Sequence, residues 1–555
     1  MTRQLSKNPM KTEAVVIRWA GYDFLVTRSG LTKGLTFHMS NQRKIRLSAA
    51  ILALFLTAST SSADVKLPAL LSDHMVLQRD KPVPIWGWAE PGEKIIVAIG
   101  GQTHETQANE EGRWRVDLTP LSVGDPLTLV VEGNNRIERT DILVGEVWVC
   151  SGQSNMQFAL AHAINADLEL LTANHPQLRL ITATPPGGQT PLEDIEGQWH
   201  ACTPESANDF SAVGYFFGLK LQQALNVPVG LIDNSWGGSA CEAWIRRDLM
   251  EGNPIYQPLM DRWKAIEAKY DSGEAQAEYE KALADWEQNN KDGKTTGRKP
   301  RPPESLMTGN ARPANIYNTR IIPLLPYAIR GAIWYQGETN AGRAYQYREM
   351  FPLMIQNWRD EWGQGDFPFY WVQLADFYAE KSEPGESAWA ELREAQTMTL
   401  DRLKNTGEAV IIDIGEGNDI HPRNKLEVGL RLARWALARD YGIKVPCESP
   451  RFESMTQADG KVTVTFRACG DGLHVYDHPM IKGFAIAGED KKWVWAEAKV
   501  IATNQVEVWS ESVPAPVAVR YAWADNPVCN LVSKNYLPVT PFRSDDWPGV
   551  TAEAR

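Results

Sequence analysis

Positive charge, cysteine and long apolar runs are all scarce in this 555-residue chain, and each scarcity excludes something. Lys and Arg number 57 against 69 Asp and Glu, a net charge of −12, so the basic face that a nucleic-acid or anionic-membrane binder needs is missing. The six cysteines (Cys150, Cys202, Cys241, Cys447, Cys469 and Cys529) are too sparse for a disulfide scaffold. None forms a CxxC pair or a zinc-ligand spacing, and the sequence does not decide between one or two bridges and free thiols. Beyond residue 63 no stretch is apolar for long enough to span a bilayer. Apolar residues at 43% and charged residues at 23% match ordinary globular usage, which excludes a disordered or fibrous chain. Tryptophan is plentiful, 21 against 16 tyrosines and 15 phenylalanines; its faces can stack on sugar rings, and core filling accounts for most of it.

Residues 1–38 carry no periodicity that marks an element. Met39 opens a better start: Arg43, Lys44 and Arg46 form a basic stretch, residues 47–56 a short apolar run, and Ser61-Ser62-Ala63 a small-residue cleavage site. This is the pattern of a secretory signal peptide, so residues 1–63 are expected to be leader, with an exported (periplasmic or secreted) protein beginning near Asp64.

Short strands at 76–78, 83–88, 94–99, 114–118 and 127–131, separated by Pro/Gly/Asp turns, predict a small antiparallel β domain over 64–141. The pattern then changes. Apolar strands at 146–150, 178–181, 227–232, 332–335, 369–372 and 409–412 alternate with helical stretches such as 157–164, 214–225 and 345–361. That alternation predicts an α/β domain with a doubly wound parallel sheet over 142–445. A charged, Ala-rich segment centred on 275–290 predicts a solvent-facing helical insertion at 250–310. Strands return at 462–466, 483–487, 493–495, 505–509 and 517–521, predicting a C-terminal β region over 446–555.

Four polar clusters follow parallel strands, where open α/β sheets place their ligands. In Cys150-Ser151-Gly152-Gln153-Ser154-Asn155-Met156, a serine at a strand-to-helix turn exposes its hydroxyl and sits at the positive end of a helix. The plain alternative is a helix-capping serine. Within 233–244, the Gly237-Gly238 pair lets backbone amides approach a ligand closely, or makes a tight turn. In Trp334-Tyr335-Gln336-Gly337-Glu338-Thr339-Asn340, Gln336 and Asn340 are carboxamide donors. Such a donor beside a developing oxyanion is worth about 2.7–4 kcal/mol. In the last, His421 lies in a Gly- and Asp-rich loop with Asp419, Glu416 and Asp413 nearby. A general base must titrate near neutrality, and an acid fixes its tautomer. A nucleophile, oxyanion donors, an acid and a base thus follow in order.

These motifs, Gly-Gln-Ser-Asn-Met, Trp-Gly-Gly-Ser, Trp-Tyr-Gln-Gly-Glu-Thr-Asn and Asp-Ile-His-Pro with a following Lys, resemble the SGNH (GDSL-like) hydrolases and specifically the sialate O-acetylesterase family. Residues 67–82 and 526–543 also resemble that family's two ends. The resemblance implies an SGNH-type three-layer α/β/α core flanked by β-sandwich-like regions. It implies a serine esterase acting on O-acetylated sugars, with no metal or organic cofactor. Ser154 is the implied nucleophile and His421 the base. Asp419 is the implied acid, with Asp413 or a backbone carbonyl as alternatives. The Ser154 amide, Gly237 or Gly238, and Gln336 or Asn340 form the implied oxyanion hole, with Gln153, Asn155 and Glu338 as candidate substrate contacts. Departures from the superfamily stand at block three, which reads Gln-Gly-Glu-Thr-Asn rather than Gly-x-Asn-Asp, and at position 418, where Asn replaces the usual acid. An acetylxylan or other carbohydrate deacetylase, and a non-catalytic carbohydrate-binding protein, are the competing expectations. Arg343 and Arg348 are either carboxylate-recognising groups or helix-surface charges.

Overall fold

A computed structural model describes residues 15–19, 22–26, 64–292 and 297–554. In the amino-terminal unit, Val15–Trp19 pairs antiparallel with Tyr22–Val26, so the region read as featureless holds a strand pair built from a β-branched run. The expected signal peptide at 39–63 lies outside the described residues.

In the main unit the sequence dictates strands buried on both faces, and the structure stacks them in one sheet. From one edge its strands are His200–Cys202, His175–Thr182, Val229–Asp233, Arg136–Gly152, Gly331–Tyr335, Phe369–Val372 and Thr406–Ala409. All neighbours are parallel except the first pair. Side chains alternate between two cores, as the period of a strand requires. Trp148, Ile333 and Tyr370 face one core with Phe217 and Trp435, from helices Ala212–Leu225 and Lys425–Arg439. Val149, Trp334 and Trp371 face the other, with Trp358 and Leu392 from helices Ala344–Trp362 and Ala388–Met398. The result is the α/β/α sandwich. Most of the large tryptophans are structural, with Trp148, Trp199, Trp244, Trp334, Trp358 and Trp371 fully buried.

Three features depart from the sequence reading. The boundary expected at 141 falls inside one 17-residue strand, Arg136–Gly152. Its first half pairs antiparallel with Leu127–Glu132 and its second half is the centre of the parallel sheet, so one hydrophobic core runs through both. The strand expected at 409–412 is Thr406–Ala409, because the strand it pairs with, Phe369–Val372, ends opposite Ala409. Val410–Ile412 is buried but leaves the sheet to begin the loop that carries His421. The helix expected at 157–164 is a single turn, Ser154–Gln157, followed by a 3-10 turn at Leu160–His162.

The insertion is an α-hairpin. Glu274–Lys291 buries nothing, whereas Gln257–Asp271 buries Leu259, Met260 and Trp263 against the body, so only the second helix matches the solvent-facing expectation. The C-terminal β region has its own core, with Val464, Phe466, Ile486 and Val506. All six cysteines are free thiols. Among the described residues no helix is long and apolar enough to cross a membrane.

Candidate active site

The central strand Arg136–Gly152 lies between Val229–Asp233 and Gly331–Tyr335, and chain connections leave it toward both sides. Its carboxyl end is therefore the topological switch point of the sheet, the position where α/β folds open a crevice. Ser154 stands there. The chain reaches it through Gly152, whose φ of 137° favours glycine and whose missing Cβ would sit 2.2 Å from the Tyr335 carbonyl oxygen. The Gln153 amide donates to that same carbonyl at 2.9 Å. Gln153, not Ser154, takes the N-cap position of the short helix. The serine hydroxyl does not cap. It shares a hydrogen bond with His421 Nε2 at 2.7 Å, joining two side chains 267 residues apart.

His421 is half-buried beneath the ring of Phe158. Burial is the largest influence on its imidazole and, with the nearby Lys425 cation, pulls its pKa below the ordinary value; Asp419 opposes both. The ring is therefore neutral, and able to accept a proton, around pH 7.

The expected acids divide. Asp419 Oδ1 accepts the His421 backbone amide at 2.9 Å but lies 3.8 Å from Nδ1, beyond hydrogen-bond range. It acts on the imidazole through charge alone. Asp413 is claimed by Arg431 in a bidentate pair at 2.6 and 2.7 Å, and Glu416 by Arg423. No carboxylate hydrogen-bonds Nδ1 among the described residues.

The glycine pair abuts the nucleophile. A Cβ on Gly237 would stand 3.4 Å from Ser154 Cβ. The Gly237 amide is already spent on Gln157 Oε1 at 2.8 Å. Gly238 adopts φ 70°, and neither its amide nor that of Ser154 is engaged among the described residues. Both N–H groups are available as donors among the described residues.

Gln336 and Asn340 do something other than expected. Gln336 is completely buried, and its amide nitrogen donates to the Ser239 carbonyl (3.0 Å) and to Asn340 Oδ1 (2.7 Å) while its oxygen accepts from the Tyr347 hydroxyl. Asn340 accepts from the Cys241 amide and donates to Glu242. The two carboxamides brace the 237–242 loop from behind, because Ser239, Cys241 and Tyr347 satisfy them first. Neither presents an oxyanion donor.

The expected substrate contacts are likewise internal. Gln153 is buried and its oxygen accepts from the Gly337 amide. Asn155 donates through Nδ2 to Glu338 Oε1 (2.7 Å) and to the Ile420 carbonyl (2.9 Å), and its oxygen accepts from Lys425 Nζ (2.5 Å). Burial raises the Glu338 pKa, and its second oxygen is buried without a partner among the described residues. Lys425 is completely buried, its pKa pushed down to about 7 by burial against the opposing attraction of Glu338, Asp419 and Glu416. Sequence reasoning gave it no role. The available signal was its spacing: 425, 428, 429 and 432 share the buried face of helix Lys425–Arg439, an unusual place for a lysine. Arg343 pairs with Glu242, and Arg348 with Glu394 over the Tyr345 ring. Both arginines are structural.

With this geometry in place, comparison with known proteins identifies the family. Residues 313–437 match the family model "Carbohydrate esterase, sialic acid-specific acetylesterase". The sialate O-acetylesterase of Homo sapiens is 28% identical over 550 residues, covering 90% of this chain and 97% of that protein; that of Mus musculus is 27% identical, covering 89% and 97%. The crystal structure of a carbohydrate acetylesterase from Xanthomonas citri superposes with a TM-score of 0.74 at 38% identity, over 87% of this chain and all of that one. The chain therefore belongs to the sialate O-acetylesterase family of carbohydrate esterases, and is a carboxylic ester hydrolase on an SGNH-type α/β/α scaffold.

Proposed function

We propose that this protein is a serine esterase that removes O-acetyl groups from sugars through an acetyl-serine intermediate, with O-acetylated sialic acid as its substrate. The observation that carries the reading is the 2.7 Å contact between Ser154 Oγ and His421 Nε2 at the switch point of the sheet.

Neutral His421 accepts the hydroxyl proton as Ser154 Oγ attacks the acetyl carbonyl carbon. The Ser154 and Gly238 amides donate to the oxyanion of the tetrahedral intermediate. The imidazolium, stabilised by the Asp419 charge, passes its proton to the departing sugar oxygen as the C–O bond breaks. A water then attacks the acetyl-serine with His421 again as base, releasing acetate and restoring the hydroxyl. Among the described residues no acid hydrogen-bonds Nδ1, so the pair works as a dyad tuned by burial and by charge.

The test is Ser154→Ala on a generic aryl acetate: loss of kcat by at least about 10⁴-fold with unchanged folding is expected, and retained hydrolysis overturns the reading. A non-catalytic sugar binder would be indifferent to that change. Substrate identity is read from the wild type on 9-O-acetylated sialic acid against acetylated xylan. Because Arg343 and Arg348 are engaged elsewhere, a preference for xylan would assign the neutral sugar instead. Export belongs to the same proposal, supported by the basic, apolar and small-residue run at 43–63; an exported chain beginning near Asp64 on N-terminal sequencing supports it, and one retained with residues 1–63 refutes it.

A further inference from the structure

Outside the reacting pair lies a polar cluster that the esterase mechanism does not use. Asn155 follows the nucleophile directly, and its side-chain nitrogen is tied to the Ile420 carbonyl, the residue preceding the base. One carboxamide thus bridges the turn that carries Ser154 and the loop that carries His421. That loop has no regular structure of its own, so the distance between Oγ and Nε2 depends on ties of this kind.

A carboxamide can be turned end for end with little change in shape, and only the reverse of its donors and acceptors resists it. Here the two ends are addressed by groups that cannot exchange roles. As an ammonium, Lys425 Nζ carries only donors and meets the oxygen; as a carboxylate, Glu338 carries only acceptors and meets the nitrogen. A cation at the oxygen end and an anion at the nitrogen end also align with the amide dipole, in surroundings where charge is poorly screened. Phe158 and Tyr335 enclose the ammonium, with Nζ 4.8 and 5.2 Å from their ring centres.

We propose that Lys425 and Glu338 are positioning residues for the esterase reaction: together they fix the orientation of Asn155, which sets the register of His421 against Ser154. This inference rests on the serine-esterase reading above. A second consequence follows from the same placement. The Lys425 cation lies close enough to disfavour the imidazolium of His421, whereas Asp419 favours it; the remaining neighbours are the Ser154 hydroxyl and the Phe158 ring. Lys425 itself faces Glu338, Asp419 and Glu416, whose attraction favours its charged form against the burial that lowers its pKa to about 7.

The experiment compares Lys425→Met, Glu338→Gln and the double variant with wild type on an aryl acetate, recording kcat and KM across pH together with the thermal midpoint. For Lys425→Met, kcat is expected to fall by about 10- to 100-fold with KM changed less than about twofold, since misplacement of a reacting group costs on that order. The acid limb of kcat/KM is expected to move to higher pH, because a base no longer beside a cation holds its proton longer. Glu338→Gln keeps an acceptor for Asn155 but withdraws the anion that sustains the Lys425 charge, so the limb is expected to move the same way as in Lys425→Met, by less. The double variant removes the buried carboxylate left uncompensated by the first change. It is expected to recover the thermal midpoint while kcat stays depressed, which a merely structural lysine would not do.

If Lys425→Met does not fold, the double variant is read in its place against the same two criteria. Wild-type kcat and an unmoved acid limb in the folded lysine variant overturn the inference, as does recovery of kcat together with stability in the double variant. Ser154→Ala distinguishes the levels. An inactive serine variant beside a fully active lysine variant removes only this inference, whereas an active serine variant removes the esterase reading itself.

Discussion

The two reacting side chains are held in opposite ways. Ser154 is delivered by backbone: a central strand hydrogen-bonded on both sides, a glycine that fits against the Tyr335 carbonyl, and an amide bonded to that carbonyl. His421 is delivered by side chains. Its loop is fastened by Asp413 to Arg431, Glu416 to Arg423, Asp419 to the His421 amide, and Asn155 to the Ile420 carbonyl. A central strand is fixed by its ladder of backbone hydrogen bonds and admits no intrusion on that backbone. A loop held by side chains can be loosened one contact at a time. The nucleophile half should therefore fail as a unit of folding, and the base half should fail by degrees in rate and pH dependence.

Gly152→Ala should produce the largest effect. A Cβ there meets backbone at 2.2 Å in a conformation that L-residues avoid, so the protein should lose about 3 kcal/mol or more, measured as a shift of the urea midpoint. A stable, active variant would show that the strand end is more pliant than the contrast allows.

Gln336→Leu comes next and separates brace from catalyst. Leaving Ser239, Asn340 and Tyr347 with lost partners should cost about 1–3 kcal/mol of stability. In the folded fraction kcat should fall less than about tenfold; a fall of about 10²–10³ would mark an oxyanion donor instead.

Asp419→Asn tests the base half. The amide oxygen can still accept from the His421 backbone, so the loop should hold and kcat should drop less than about tenfold, against about 10⁴ for an acid that hydrogen-bonds the imidazole. Losing the negative charge removes the influence that raises the His421 pKa, so the acid limb of kcat/KM should shift to lower pH. A shift upward would contradict the charge-only role.

The smallest effect is expected in the insertion. Glu280→Ala on helix Glu274–Lys291, where no side chain is buried, should change stability by no more than about 0.5 kcal/mol and leave kcat untouched.

Much of the fold was legible because buried parallel strands announce themselves as short apolar runs, and the serine and histidine clusters sit where those runs end. What escaped reading shares one cause. Residues 410–412 look like a strand, but a strand needs a neighbour, and Phe369–Val372 stops opposite Ala409. The boundary at 141 looked like a change of pattern, yet a single strand serves an antiparallel partner with one half and parallel partners with the other. Gln336 ends its strand as an oxyanion donor would, but Ser239 and Tyr347 reach it first. Lys425 was visible in the helical period as a lysine among Val428, Gly429 and Leu432, and its meaning depended on finding Asn155 and Glu338 around it.

By itself the sequence determined the buried parallel strands, the doubly wound α/β layering and the strand ends at which chemistry could occur, because burial and periodicity are written along the chain. Only the tertiary structure decided which polar group serves which partner. Donors and acceptors are shared out by what lies within about 3 Å in space, and bonded partners stand 60 to 270 positions apart along the chain.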